Sequence, residues 1–344
     1  MKILVDIIHP AHVHVFKNFI WEMEKKGHEI LVTAREKDVA TDLLDAYDIK
    51  YTTLSEAKTG LFNLGAELIK RDIKLYKIAK KFNPDVLIGV INPSVTHVAR
   101  ILNKKSILFT DTEHATLINY ASFPFVSTIC TPSCYKKNLG KKQVKYNGYH
   151  ELAYLHPNYF TPNPAVLDEL GLSEDETFII LRFVSWAASH DVGHSGLTLE
   201  YKRKAIAEFE KYGRVFITSE NPLSEEFEKY RITVSTEKMH DLLYYATLLY
   251  GESATMASEC AVLGTHSIFC DYAGRGYTDE QEEKYDLVYN FYDEKTMGIE
   301  SLNKALELLD NPNLKEEGIK KHEKLLKDKI DVTQFIMETV EKSQ

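Results

Sequence analysis

Four polar runs in this 344-residue chain each follow an apolar stretch, the place where a parallel strand hands its C-terminal end to a ligand. The most informative is Leu248-Leu249-Tyr250-Gly251-Glu252-Ser253-Ala254-Thr255-Met256-Ala257-Ser258-Glu259-Cys260-Ala261-Val262-Leu263-Gly264. A strand ending at Tyr250 and a helix opening after it would present unpaired N–H groups and a positive dipole end, which bind phosphate. Ser253, Ala254 and Thr255 are small enough to let a diphosphate approach the backbone, and two of them add hydroxyl donors. Glu259 falls about one helical turn further in, where a carboxylate can accept from both hydroxyls of a ribose. A plain N-cap with Glu259 as a surface charge uses the same residues, and spacing alone does not choose between the two.

The run Asp6-Ile7-Ile8-His9-Pro10-Ala11-His12-Val13-His14-Val15-Phe16 lacks the glycines of a dinucleotide-binding loop, which disfavours an NAD enzyme. An imidazole titrates near neutrality, so His9, His12 and His14 are candidate bases toward an acceptor hydroxyl, or caps. His12 and His14 are two apart and would face differently on a helix, so no metal site is expected. Asp111-Thr112-Glu113-His114 forms another polar cluster at a strand exit, with a helix N-cap as the alternative. The run from Leu181 to Gly196 places Arg182 and Ser185 after a buried strand, and a cation with hydroxyls suits a diphosphate.

Residues 253–264 closely resemble the donor-site helix of GT-B enzymes: that of the glycosyltransferase making lipid II, and the Ser-Gly-Gly…Glu-Glu-Ala…Gly helix of the non-hydrolysing UDP-N-acetylglucosamine 2-epimerases. The resemblance implies that Ser253, Ala254 and Thr255 hold the diphosphate and Glu259 the ribose. In those families a sugar-gripping loop follows, and Asp279, Glu280 and Gln281 stand in its place. The proline usual after the glycine is absent, Gly264-Thr265-His266 standing there. The epimerases carry a His-Val-Glu-Ala-Gly motif with an acid/base Glu, which Thr112-Glu113-His114-Ala115 resembles loosely, making Glu113 a candidate. Arg182 and His190 take parts of the epimerases' Gly-His-Arg-Arg-Glu-Asn loop. With the segments at 9–14 and 33–38, nearly the whole chain resembles an uncharacterised family of predicted glycosyltransferases. That implies the fold more directly than the reaction.

The elements that must position these residues alternate regularly. Apolar, β-branched runs at 2–8, 29–33, 50–54, 85–90, 106–110 and 126–131 read as strands. Helical spacing occupies 13–26, 39–47, 64–82 and 94–102. Three prolines within 157–164 interrupt the alternation and read as a linker. It then resumes, with strands at 178–183, 214–218, 248–251 and 267–270 and helices at 199–212, 240–246, 255–263 and 299–309. A charged terminal helix follows from 315. The expected architecture is α/β of the GT-B kind: two Rossmann-like doubly wound domains facing a central cleft. Residues 1–156 form the acceptor domain and 165–344 the donor domain.

Composition is that of a globular protein, and no apolar run approaches the roughly 20 residues of a membrane span. An acid at Asp6 stands where a signal peptide would continue its apolar region, so a cytoplasmic location is expected. Four cysteines read as reduced structural thiols. Net charge is −9, split unevenly: 22 basic against 16 acidic residues over 1–156, and 20 against 35 over the rest. The acidic half argues against nucleic acid. The basic half suits an anionic acceptor, lipid-linked in one reading, or a peripheral contact with an anionic membrane through the loop 58–65 and the lysine-rich helix after it. Ordinary surface charge is the other account.

The expected function is a metal-independent, cofactor-free glycosyltransferase. It moves a sugar from a UDP-linked donor, held by Arg182, Ser185, His190, Ser253, Ala254, Thr255 and Glu259, to an acceptor near His9, His12, His14 and Glu113. A UDP-N-acetylglucosamine 2-epimerase-like activity is the first alternative. A non-catalytic nucleotide-sugar-binding protein is the second.

Overall fold

The structure, a computed structural model, describes residues 1–36, 38–56, 61–114, 116–183, 196–219 and 223–344. These form two units, Met1–Tyr159 with Lys329–Gln344, and Phe160–Asp328.

The first unit runs β1 (Lys2–Ile7), α1 (Pro10–Lys25), β2 (Glu29–Glu36), α2 (Asp38–Ala46), β3 (Tyr51–Glu56), α3 (Leu61–Phe82), β4 (Val86–Val90), α4 (Pro93–Ile101), β5 (Lys105–Phe109), α5 (Thr116–Ser122), β6 (Thr128–Pro132), β7 (Gln143–Tyr146) and α6 (Leu152–Leu155). All seven strands are parallel, in the order β3-β2-β1-β4-β5-β6-β7. Central strands covered on both faces must be apolar throughout, and every residue of β4 is buried. One face packs Leu4, Leu87 and Leu108 on Leu75, Val95 and Val98 from α3 and α4. The other receives Phe16 and Phe19 of α1, with Phe16 edge-on to Phe109. The order reverses between β1 and β4, so a crevice at the strands' C-terminal ends opens there.

The second unit runs α7 (Ala165–Asp168), β8 (Phe178–Phe183), α8 (Leu199–Phe209), β9 (Arg214–Ser219), α9 (Met239–Tyr245), β10 (Leu248–Gly251), α10 (Ala254–Leu263), β11 (Ser267–Cys270), α11 (Gly276–Tyr285), β12 (Val288–Phe291), α12 (Met297–Leu309) and α13 (Leu314–Asp328). Its five parallel strands lie in the order β12-β11-β10-β8-β9, with the reversal between β8 and β10. Leu181, Phe183, Phe209 and Tyr250 centre its core.

Four elements depart from the sequence expectations. β7 and β12 are four-residue edge strands, too short for a period to show. Residues 276–285 form helix α11 where a loop was expected. The terminal helix is two helices, broken where Asp331 caps α14 (Val332–Glu341) by accepting from the Gln334 N–H at 2.9 Å. Although the sequence assigned all of 165–344 to the second domain, α14 belongs to the first unit. Its buried face of Val332, Ile336, Met337 and Val340 packs on α1 and α6. Thr333 Oγ1 donates to the Ala153 carbonyl at 2.7 Å, and Asn158 Nδ2 to Asp331 at 2.8 Å. The four cysteines are unbridged. Among the described residues no helix is long and apolar enough to cross a membrane.

Candidate functional site

In the first unit the polar centre begins with a fully buried carboxylate. Asp6, near the end of β1, accepts both its oxygens' bonds from Arg71 Nη2 of α3 at 2.6 Å, one from Thr33 Oγ1 at 2.7 Å and one from Asn92 Nδ2 at 2.7 Å. A buried charge is tolerable only when compensated this fully. The cluster ties β1, β2, α3 and the end of β4 together at the switch point. Arg71 is therefore no part of the solvated basic face expected for its helix. A second pair, Arg35 to Glu67 at 2.7 Å, fastens α3 to β2.

Above this lie His9, His12, Asp111 and His150. His9 takes the cap position of α1, its Nδ1 accepting from the Ala11 N–H at 3.2 Å, and its ring centroid lies 5.8 Å from that of His12. His12 is buried, and its Nδ1 has no hydrogen-bond partner. Burial, and then the neighbouring His9 and His150, hold its pKa well below the ordinary histidine value. Asp111 follows β5 and meets His150 Nδ1 at 3.0 Å. Burial opposes ionisation of both. The pair's mutual attraction and hydrogen bond outweigh it, lowering Asp111 and raising His150. His150 Nε2 and the Tyr146 and Tyr135 hydroxyls are buried without partners. The Tyr146 ring is stacked on His150 at 6.4 Å. Burial and the Glu113 and Asp111 carboxylates push Tyr135 up to about 12.

Glu113 belongs to this group. Its Oε1 accepts from the Lys136 N–H at 3.2 Å, its carbonyl accepts from Lys137 Nζ at 2.7 Å, and its Oε2 is buried with no partner. His14 does not belong. It sits on another face of α1, its ring 5.2 Å from Tyr154 and its Nδ1 3.5 Å from the Tyr47 hydroxyl. The two-residue separation from His12 sends the side chains apart. The opposite shifts of His12 and His150 beside Asp111 favour the neutral form of one imidazole and the protonated form of the other.

In the second unit β10 leads into α10 at the switch point. Gly251 permits this, because a Cβ there would lie 2.0 Å from the Arg182 carbonyl oxygen. That carbonyl accepts from the Glu252 N–H at 2.8 Å, locking the end of β10 to β8. Ser253 is the N-cap, its hydroxyl accepting from the Met256 N–H at 3.3 Å. Ala254 and Thr255 form the first turn, and Gly264 closes the helix in the left-handed region. Glu259 is buried and meets His240 Nε2 of α9 at 3.0 Å, so it is not a surface charge.

Glu252 was read only as part of the motif, yet it anchors the segment entering α8. Its Oε1 accepts from the Leu197 N–H at 2.8 Å and meets Lys202 Nζ at 3.1 Å, and both side chains are buried. Burial lowers the Lys202 pKa despite Glu252. Arg182 turns toward β9, its Nη1 3.4 Å from Thr218 Oγ1. Ser185 and His190 lie outside the described residues. Asp279, Glu280 and Gln281 are in the first turns of α11 and are engaged within the unit. Tyr292 donates to Asp279, Lys284 pairs with Glu280 at 2.6 Å, and Gln281 Nε2 donates to Ser258 Oγ of α10 at 2.7 Å. The polar face of α11 packs on α10, which leaves no apolar period for the sequence to show.

Asp6, Arg71, Asn92, Glu252, Lys202 and His150 also build these two sites without a role expected from the sequence, and Asp111 was expected only within a polar cluster or as a cap. The one available signal was position, since each except Arg71, His150 and Lys202 follows or ends a strand.

An uncharacterized protein of Methanocaldococcus jannaschii, MJ0665, is 24% identical over 280 residues, covering 78% of this chain and 82% of its own. The UDP-GlcNAc 2-epimerase of Neisseria meningitidis, solved bound to UDP-GlcNAc, is similar in structure with a TM-score of 0.70 and 12% identity, over 99% of this chain and 100% of its own. The spinosyn rhamnosyltransferase SpnG is similar with a TM-score of 0.64 and 12% identity, over 96% of each chain. At these identities the likeness establishes the fold, which is GT-B. The family model described as protein of unknown function (DUF354) matches residues 1–342, and the chain belongs to that family.

Proposed function

We propose that this chain is a nucleotide-sugar enzyme, and in the first instance a glycosyltransferase that moves a sugar from a UDP-linked donor to an acceptor hydroxyl. The β10–α10 junction carries the reading. A capped helix N-terminus opens at a switch point behind a glycine that allows close backbone approach, and a buried carboxylate sits further along the same helix. The N–H groups around Ser253, Ala254 and Thr255 receive the diphosphate, and Glu259, its rotamer fixed by His240, receives the ribose. Arg182, Ser185 and His190 supply further phosphate contacts. The helix dipole and cations offset charge on the departing diphosphate, so the scheme needs no metal. In the first unit His12, held neutral, takes the acceptor proton. Asp279, Glu280 and Gln281 would meet the sugar from the first turns of α11, where the buried Gln281 Oε1 has no partner.

One observation favours a second reading, a UDP-N-acetylglucosamine 2-epimerase-like reaction. The opposite shifts of His12 and His150 supply both an acid and a base, with Glu113 beside them, whereas transfer to a hydroxyl asks only for a base.

The test is a thermal-shift series with UDP, UDP-sugars and other nucleotides, because a ligand that binds only the folded state raises its stability. Selective stabilisation by UDP is expected. Glu259→Ala should weaken UDP binding about tenfold or more, the loss of a charge-assisted hydrogen bond. Unchanged affinity would remove the ribose assignment. Turnover of UDP-N-acetylglucosamine with no acceptor present would select the epimerase reading.

A further inference from the structure

Of the loop expected at 58–65 to make a membrane contact, residues 58–60 lie outside the described ones and 61–65 open helix α3, and a different surface of the first unit is the better candidate. Of the large hydrophobic side chains exposed among the described residues, half lie between residues 69 and 125: Ile69 and Ile73 on α3, Ile101 on α4, Leu117, Ile118 and Tyr120 on α5, and Phe125 just after it. Leu117 and Tyr120 are 76% and 75% exposed, more than any other large apolar residue there. Scattered exposed hydrophobics need no explanation, but a contiguous group does.

His97 of α4 shows that the group is contiguous. Its Nδ1 meets Asp72 of α3 at 2.8 Å, its Nε2 meets the Ala121 carbonyl of α5 at 3.0 Å, and its ring lies edge-on to Phe125 at 5.2 Å. Ile69 lies one turn before Asp72 on α3 and Leu117 one turn before Ala121 on α5, and Ile73 and Tyr120 are in turn the i+4 neighbour of Ile69 and the i+3 neighbour of Leu117. Arg100 and Ile101 continue the α4 face of His97.

The rim is basic on both sides. Lys70, Lys74 and Lys77 are exposed beside the α3 isoleucines. On the far side Arg100, Lys104 and Lys142 line an open groove with Phe125. Apart from the buried Arg71, residues 68–110 hold eight basic side chains against two acidic ones. Of those two, Asp72 is paired with His97, and Asp85 accepts from the Lys2 N–H at 2.8 Å. An unbalanced positive rim around an apolar centre complements anionic headgroups over acyl chains. Protein interfaces, by contrast, are depleted in lysine, and a second copy would set this rim against its own charge.

We propose that the α3–α4–α5 face of the first unit docks peripherally on an anionic lipid bilayer. Leu117, Tyr120 and Phe125 enter the headgroup–acyl boundary, Ile69 and Ile73 lie alongside, and Arg100, Lys104 and Lys142 take the lipid phosphates. The proposal is independent of the nucleotide-sugar reading, since it invokes neither substrate site.

The experiment is co-sedimentation of the full chain, without nucleotide, on vesicles of phosphatidylcholine alone and of phosphatidylcholine mixed with phosphatidylglycerol. Binding is expected to the mixed vesicles and to fall as salt rises. Leu117→Ser with Tyr120→Ser should weaken it at least about tenfold. Arg100→Gln with Lys104→Gln should weaken it about fivefold per cation removed. Leu117, Tyr120 and Arg100 are exposed and Lys104 is half-buried, so an unchanged melting midpoint should confirm that the variants fold. Absence of binding to the mixed vesicles, or equal binding by parent and variants, would overturn the proposal. A dimer that the Leu117/Tyr120 variant converts to monomer, with no vesicle binding by either, would also overturn it and assign the face to a second copy.

Discussion

Asp6 shows how much one residue's environment decides. With Arg71 removed, as in Arg71→Leu, its carboxylate would stay buried with its counter-charge gone. Unfolding free energy should fall by about 3–5 kcal/mol, read from denaturant midpoints. The double variant with Asp6→Asn should recover part of that loss, and simple additivity of the two would argue against direct coupling. His12 and His150 make a second prediction. If His12 acts as base and His150 as acid, the rate should fall below the depressed pKa of His12 and above the raised pKa of His150, with a plateau between. His150→Gln should remove the basic limb while leaving nucleotide affinity unchanged. A basic limb that persists in the variant would exclude His150 as the acid. Neither cluster could be read from the chain. Asp6 and Arg71 are 65 positions apart, and Arg71 shares its helix with five exposed lysines that give it the look of a solvated residue. The histidines at 9–14 stood out, and their two-residue spacing already set His12 and His14 on different faces, but nothing in the chain pointed to His150 as a neighbour of His12.

At the scale of elements, the junctions mattered more than the elements themselves. Alternating apolar runs made most strands and helices legible, because central parallel strands must be apolar on both faces. Edge strands β7 and β12 and the polar-faced α11 stayed invisible, since each lacks the period that burial imposes. The β10–α10 junction was the reverse case, with small residues and a glycine marking it plainly. Gly251→Ala tests it. The added methyl meets backbone, not a flexible side chain, so β10 must move away from β8. A loss of about 3 kcal/mol is expected, together with loss of UDP-dependent stabilisation. A variant of normal stability and normal UDP response would show that close approach at Gly251 is unnecessary.

For the molecule as a whole, several buried histidines set how stability responds to acid. His266 is pushed down to about 3 by burial and then by Lys321, whose Nζ is 3.0 Å from its Nε2. Its folded value lies below the unfolded one, so its contribution is present above about pH 6.5 and is lost as pH falls toward 3. His12, His322 and Asp111 are depressed and act in the same direction. His150, which is raised, contributes below about pH 6.5 and loses that contribution as pH rises. The unfolding free energy from urea titrations should therefore drop on acidification by an amount on the order of a few kcal/mol. His266→Gln should flatten that drop, and an unaltered slope would assign it to the other groups. The return of α14 to the first unit has a consequence of another kind, in the order of biosynthesis. The second unit is an insertion, so the sheet that begins with Lys2 lacks the helix covering α1 and α6 until residues 332–341 have left the ribosome. The half of the protein made first is thus the half completed last, and a nascent chain stalled after residue 159 would expose the apolar surface that Val332, Ile336 and Val340 are made to cover.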